Sequence, residues 1–120
     1  MDLKRGDTQV FYVTVPSSIA TDGTVMYFMA KIKPDDDKND STALINKSSS
    51  DKSNIGDNVR FRFELTPNDT NKIEFANKSV LELAGEFEIR TPEGKVYSVP
   101  GKNKYIKVKV YADIRRGGTL

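Results

Sequence analysis

The chain has 120 residues, of which 37% are hydrophobic and 30% are charged. This length suits one ordinary domain with a two-layer core and is too short for two independent cores. The 19 basic and 17 acidic residues leave a net charge of +2, which is too small to make nucleic acid the default partner.

Cysteine and histidine are both absent, so the chain offers neither a thiolate metal site nor the usual catalytic nucleophile and base. Glu86 and Glu88 share the outward face of one predicted strand, where solvent leaves carboxylates untuned for acid-base catalysis. We therefore expect no enzymatic activity, no cofactor and no small-molecule substrate.

The amino terminus, residues 1–7, lacks the apolar run of a secretory signal. No stretch approaches the ~20 apolar residues that span a bilayer. We expect a soluble protein without membrane contact, made and kept in the cytoplasm or assembled from it.

The first two predicted strands differ in how they alternate. Residues 9–15 place Phe11, Val13 and Val15 on one face, which we take as the inner face. Residues 25–32 form a nearly continuous apolar run, rich in strand formers and too short for a helix. We predict that this second run is the most central strand.

Residues 34–57 shift to Asp, Lys, Asn and Ser, interrupted only by an apolar triplet at 43–45. Such a composition buries too little apolar surface to offset the entropy of ordering the chain. We predict one short strand at the triplet between two mobile loops, and first cleavage in this segment under limited proteolysis.

Residues 59–65 alternate most regularly, with arginine or glutamate at every second position. The apolar face consists of Val59, Phe61, Phe63 and Leu65. The turn residues of 66–69 include a proline, which cannot donate a hydrogen bond to a sheet. We predict a half-buried antiparallel strand that runs into a corner, with both phenylalanines in the core and both arginines outside it.

The second half of the chain continues as short strands. For residues 70–83 we predict a corner crossing with one or two short strands. Residues 85–90 and 95–99 flank a tight-turn sequence and predict a β-hairpin. Residues 105–111 alternate as a last strand, and residues 115–120 follow as a loose tail.

About seven to eight short strands at such spacing are typical of a β-sandwich, with a closed barrel as second choice. The lack of crossover helices excludes a parallel α/β fold. We predict an all-β fold, a single immunoglobulin-like antiparallel β-sandwich at residues 1–114 with a flexible tail at 115–120.

Three short motifs occur in a familiar order. They are Gly6-Asp7-Thr8, the corner Leu65-Thr66-Pro67-Asn68-Asp69-Thr70, and the hairpin from Gly85 through the turn Glu93-Gly94. This layout resembles the immunoglobulin-like β-sandwich modules of tailed-phage virion proteins, notably the N-terminal domain of upper baseplate proteins. The likeness spans nearly the whole chain.

The resemblance implies a structural component of a tailed phage or prophage particle, in the tail, baseplate, neck or capsid-associated layer. Such a component acts by protein-protein assembly. Its partners would be other virion proteins and further copies of itself in the particle. It would be made in the bacterial host cytoplasm and end in the virion.

Two short motifs have simpler explanations. Arg5-Gly6-Asp7 spells the integrin-attachment tripeptide, but a three-residue match is frequent by chance, and a glycine before a strand explains it better. An acidic cluster could form a weak, irregular calcium site and otherwise a solvated loop; it consists of Asp35, Asp36, Asp37 and Asp40. Asp40 and Asn46 occupy the places where an EF-hand needs glycine and glutamate.

Two alternative functions involve aromatic residues near the C-terminus. A single-stranded nucleic-acid platform would combine Tyr105 and Tyr111 with lysines 102, 104, 107 and 109, as in a small nucleic-acid-binding β-barrel. A carbohydrate-binding or adhesive β-sandwich would use Tyr97, Tyr105 or Tyr111, because the chain has no tryptophan. Lysines on an edge strand can also simply prevent aggregation.

We predict that self-association or docking uses the last strand and tail. We expect this strand to lie at a sheet edge, where free N–H and C=O groups accept another strand. The predicted interaction residues are Tyr105, Lys107, Lys109, Tyr111, Arg115 and Arg116.

Overall fold

A computed structural model describes residues 1–32, 43–101 and 104–113. Its strands are β1 (Asp2–Lys4), β2 (Gln9–Pro16), β3 (Val25–Lys31), β4 (Ile45–Ser49), β5 (Lys52–Ile55), β6 (Asn58–Leu65), β7 (Val80–Arg90), β8 (Val96–Val99) and β9 (Ile106–Tyr111). A 3-10 turn (Ser17–Ile19) follows β2, and one helical turn, α1 (Pro67–Thr70), follows β6. No helix among the described residues is long and apolar enough to cross a membrane.

Several predicted features lie outside the described residues. They are the acidic cluster Asp35, Asp36, Asp37 and Asp40, together with Lys102 and the tail residues Arg115 and Arg116.

The strands form two sheets. The larger sheet has the order β1-β9-β7-β3-β4, with β8 also paired to β7, and the smaller sheet has the order β2-β6-β5. The pairing of β1 with β9 is parallel, whereas the other pairings are antiparallel. The predicted all-β, sandwich-like fold is therefore confirmed.

A cluster of four phenylalanines joins the two sheets. Phe11 and Phe63 come from the smaller sheet, and Phe28 and Phe87 come from the larger one. Every ring contacts the other three, with centroid separations from 4.9 to 6.4 Å. Phe61 and Phe63 are fully buried while Arg60 is exposed and Arg62 partly so, as the alternation predicted. The aromatic-weighted core is thus built by strand alternation.

The central strand of the larger sheet is β7, so the prediction for residues 25–32 is wrong. β3 pairs with β4 and β7 and lies one position from the edge. β7 has eleven residues, long enough to pair with β3 on one side and with both β9 and β8 on the other. β7 also includes residues 80–83, for which a separate short strand was predicted.

The polar segment contains more structure than predicted. β4 extends from Ile45 to Ser49, and β5 follows after two residues. Ile45 is the one fully buried side chain of these two strands. β4 and β5 are therefore ordered by hydrogen bonding to β3 and β6, and not by burial of their own apolar side chains. Residues 46–49 and 52–55 are strands and not parts of loops, which corrects the prediction.

The corner after β6 is held by side chains. Thr66 donates its backbone N–H to Asp69 Oδ2 at 2.6 Å, and its hydroxyl contacts the same oxygen at 3.1 Å. The Lys47 ammonium reaches Asp69 Oδ2 at 3.0 Å. The Asp69 carboxylate therefore caps the first turn of α1 and ties it to β4.

Asp69→Asn should lower the free energy of unfolding by about 1–2 kcal/mol near neutral pH. Burial raises the pKa of the Asp69 carboxyl, but the Thr66 and Lys47 hydrogen bonds outweigh it, and the net pKa lies below its usual value. The stabilisation is present above the pKa of the unfolded chain and is lost as pH falls through the lower folded pKa.

Urea unfolding at neutral and strongly acidic pH measures this effect. The difference between wild type and Asp69→Asn should disappear in acid. Asp51→Asn is the matched control because the Asp51 side chain is 68% exposed, and it should leave the unfolding free energy almost unchanged at both pH values. A difference at Asp69 that persists in acid would contradict the capping role.

Candidate assembly surface

The predicted interaction residues that the structure describes lie on the outward face of β9 and, in the case of Tyr105, just before that strand. Val108 and Val110 are fully buried. Lys107 and Lys109 point away from the core, and Tyr105 and Tyr111 are 48% and 38% exposed. Alternation therefore placed the outward side chains correctly, while their binding role stays a prediction.

The lysines of β9 lie beside carboxylates. Lys109 is in register with Asp2 on β1 and with Glu82 on β7. Lys107 approaches Glu82, with 3.7 Å between its Nζ and Oε1. The surface is therefore one of alternating charge, which weakens the nucleic-acid alternative because that function needs a continuous basic strip.

The free edge predicted for β9 is closed by the amino-terminal segment. The terminal amine of Met1 donates to the Lys107 carbonyl at 3.0 Å, and the Lys109 N–H donates to the Met1 carbonyl at 2.8 Å. The Arg5 N–H donates to the Tyr111 carbonyl at 3.0 Å. β9 is therefore an interior strand, and the prediction of an edge at this position is wrong.

A shallow, open groove of about 610 Å³ adjoins this face. Its lining comprises Asp2, Leu3, Lys4, Gln9, Ser79, Val80, Tyr111 and Ala112. The Gln9 amide fixes the rim, since it accepts from the Lys4 N–H at 2.7 Å and donates to the Lys4 carbonyl at 3.0 Å. The groove is therefore a preformed concave surface beside Tyr111.

The groove was missed from sequence because four separate stretches of the chain build it. Only Tyr111 among its residues had been singled out. In the described part of the chain no group of three or more acidic, histidine or cysteine side chains is placed to hold a metal ion. The groove presents a mainly apolar surface, with one acidic residue, Asp2, and one basic residue, Lys4, in its lining.

The tyrosines do not form one carbohydrate platform. Tyr97 is in register with Ile89 and packs against the core. Its side chain therefore lies on the face opposite to Tyr111, which is in register with the outward Val80. A carbohydrate site would have to use Tyr105 or Tyr111 without Tyr97.

The adhesion interpretation of Arg5-Gly6-Asp7 does not fit the structure. Arg5 is only 5% exposed, and its guanidinium lies 4.5 Å from the centre of the Phe75 ring. Gly6 adopts a positive φ of 86°, a conformation that glycine tolerates best. The tripeptide is therefore explained by the fold.

No protein-family model, curated protein or solved structure gives a significant match to this chain.

Proposed function

We propose that this protein is a non-enzymatic structural component of a tailed phage or prophage particle, in the tail, baseplate, neck or capsid-associated layer. It is made in the bacterial host cytoplasm and assembles into the virion. Its partners are other virion proteins and further copies of itself.

One contact gives this proposal its main support. The Gly6 N–H donates to the Thr70 hydroxyl at 2.9 Å, so two of the motifs that carry the resemblance meet in the fold. These motifs lie 64 residues apart in the chain. Their joint role as a structural corner is what a shared module would require.

The β9 face and its groove suit a role in assembly. Tyrosine is enriched at protein interfaces because it combines a large apolar ring with a polar tip. Charges of both signs lie around Tyr111 and add electrostatic specificity more than affinity. They are carried by Asp2, Lys4, Glu82 and Lys109. We assign the contact with other virion proteins to this surface.

The direct test is whether the chain is part of a particle. Particles released by the producing bacterium would be purified by density gradient and probed with antibody to this protein, with and without a high-salt wash. The proposal expects the protein to stay with the particles. Protein found only in the soluble lysate, or salt-dependent binding to single-stranded DNA, would overturn it.

Tyr111→Ala tests the surface within the same system. Removing the ring should lower incorporation into particles by at least about tenfold if Tyr111 is a central contact. Val96→Ala is the matched control, because Val96 is 56% exposed on the same sheet but away from β9, and its incorporation should match wild type. Equal incorporation of both variants would move the interface elsewhere.

A further inference from the structure

β2 is an eight-residue strand with one unpaired edge in the described part of the chain. Among the described strands it pairs with β6 alone, from Gln9 opposite Leu65 to Pro16 opposite Asn58. No other described backbone group bonds to the N–H or C=O groups of residues 10–15. About half of the backbone groups of an edge strand point away from its one neighbour and can pair with another strand.

The sequence of β2 lacks the residues that usually protect such an edge. The sequence of β2, QVFYVTVP, contains no charged residue, and its proline stands at the end. The other outer strands are shorter: β1, β4, β5 and β8 have three to five residues, and the first three contain lysine. Long uncharged edges in native proteins are normally covered by a partner.

The outward side chains of β2 favour a partner strand that is also uncharged. Val10 and Tyr12 are 44% and 54% exposed. The Tyr12 ring is held under the Arg60 guanidinium, 4.7 Å from its centre. A strand that pairs here packs beside an apolar row and meets no charge on β2 itself.

The charges next to β2 have opposite signs on the two sides of Tyr12. Arg60 is in register with Thr14, and Glu64 is in register with Val10. Arg62, in register with Tyr12, is paired with Glu64 at 2.8 Å. A two-fold axis at Tyr12 therefore puts Arg60 of one copy and Glu64 of the other in the same cross-strand row. The charge pattern of the smaller sheet therefore complements that of its two-fold copy, across three strand spacings of about 4.8 Å each.

We propose that two copies of this chain associate through antiparallel pairing of their β2 strands, with the two-fold axis at Tyr12. Val10 of one copy then lies opposite Thr14 of the other, and the two three-stranded sheets become one six-stranded sheet. This dimer does not depend on the particle role proposed above, so the two proposals can fail separately.

The first test is the mass of the purified full chain in solution. Edge pairing alone buries less than a standard interface of about 1,600 Å², so the mass should rise with concentration from 13.4 kDa toward twice that value. Sedimentation equilibrium from micromolar to millimolar protein measures this. A mass that stays at the monomer value throughout overturns the proposal.

Val10→Lys should weaken association at least about tenfold, because it adds charge to the edge and places it in a row with Arg60 of the other copy. In the monomer the new lysine is opposite Glu64, so folding should be preserved. Val96→Lys is the matched control on an exposed position of β8 and should associate like wild type. Unchanged association of Val10→Lys, with folding verified by circular dichroism, overturns the assignment to β2.

Cysteine cross-linking tests the register, since the natural chain has no cysteine. Residues opposite each other in an antiparallel pair have Cα atoms about 4.5–5.5 Å apart, within disulfide range. Tyr12→Cys should therefore form a disulfide dimer at least about tenfold faster than Val96→Cys. A mixture of Val10→Cys and Thr14→Cys chains should cross-link with each other and not with themselves. Cross-linking of Tyr12→Cys no faster than the control overturns the two-fold axis at Tyr12.

Discussion

Phe63→Ala is expected to lower the free energy of unfolding by about 3–5 kcal/mol. Phe63 is fully buried, and its ring centre lies 5.2, 6.4 and 5.7 Å from those of Phe11, Phe28 and Phe87. Removing the ring takes away buried apolar surface and leaves a cavity between the sheets, where the neighbouring rings can only partly relax. Phe28 and Phe87, which belong to the opposite sheet, would both border that cavity.

Denaturant unfolding of the monomer at low protein concentration measures this change. Phe63→Leu keeps most of the side-chain volume and should cost less than about 1.5 kcal/mol. Ile55→Ala removes an apolar side chain that is 41% exposed and should have a small effect. A loss below about 1 kcal/mol for Phe63→Ala would mean that this cluster does not carry the core.

The parts of the fold that were predicted correctly are strands in which the alternation of apolar and polar residues shows which side chains are buried. In β6, every second residue from Val59 to Leu65 is buried, and the period-two pattern in the sequence encodes this directly. The hairpin of β7 and β8 was equally visible, because alternation is bounded by a turn at 91–94. Where one face of a strand packs on the core and the other faces water, the sequence predicts both the strand and which of its side chains are buried.

The incorrect predictions concern strands whose order comes from their neighbours. β4 and β5 carry mostly polar side chains, and β1 has only three residues, so neither periodicity nor composition indicates a strand. Strand order in a sheet is a long-range property, and no local pattern showed that β1 would pair with β9 while β2 keeps one edge unpaired among the described residues. Strand addition at β9 is therefore excluded, although the outward residues of β9 were identified correctly.

The buried Arg5 provides the second large expected effect. Its Nε donates to Asp113 Oδ1 at 2.7 Å, and its Nη1 donates to the Ile73 carbonyl at 2.8 Å. Arg5 thereby joins the amino-terminal segment to the corner after α1 and to the chain just beyond β9. Arg5→Ala should cost about 3 kcal/mol, since it leaves buried acceptors without their charged donor and removes packing against Phe75.

Arg62→Ala separates this buried contact from an ordinary ion pair. Arg62 also bonds a carboxylate at 2.8 Å, but its side chain is 39% exposed, so water and salt compensate for its loss and the cost should be far smaller. Urea unfolding at low and high salt distinguishes the two, because the Arg5 effect should persist at ~1 M NaCl, where surface pairs are screened.

A double-mutant cycle with Asp113→Asn measures how much of the Arg5 effect on the unfolding free energy comes from the contact between Arg5 and Asp113. The coupling between the two positions should exceed about 1 kcal/mol, because the side chains touch and both are largely shielded from water. Part of the loss in Arg5→Ala should survive in the double variant, since the Ile73 carbonyl and the Phe75 ring remain without their partner. Equal, salt-sensitive losses for Arg5→Ala and Arg62→Ala would show that Arg5 is solvated. The adhesion interpretation of Arg5-Gly6-Asp7 would then be open again.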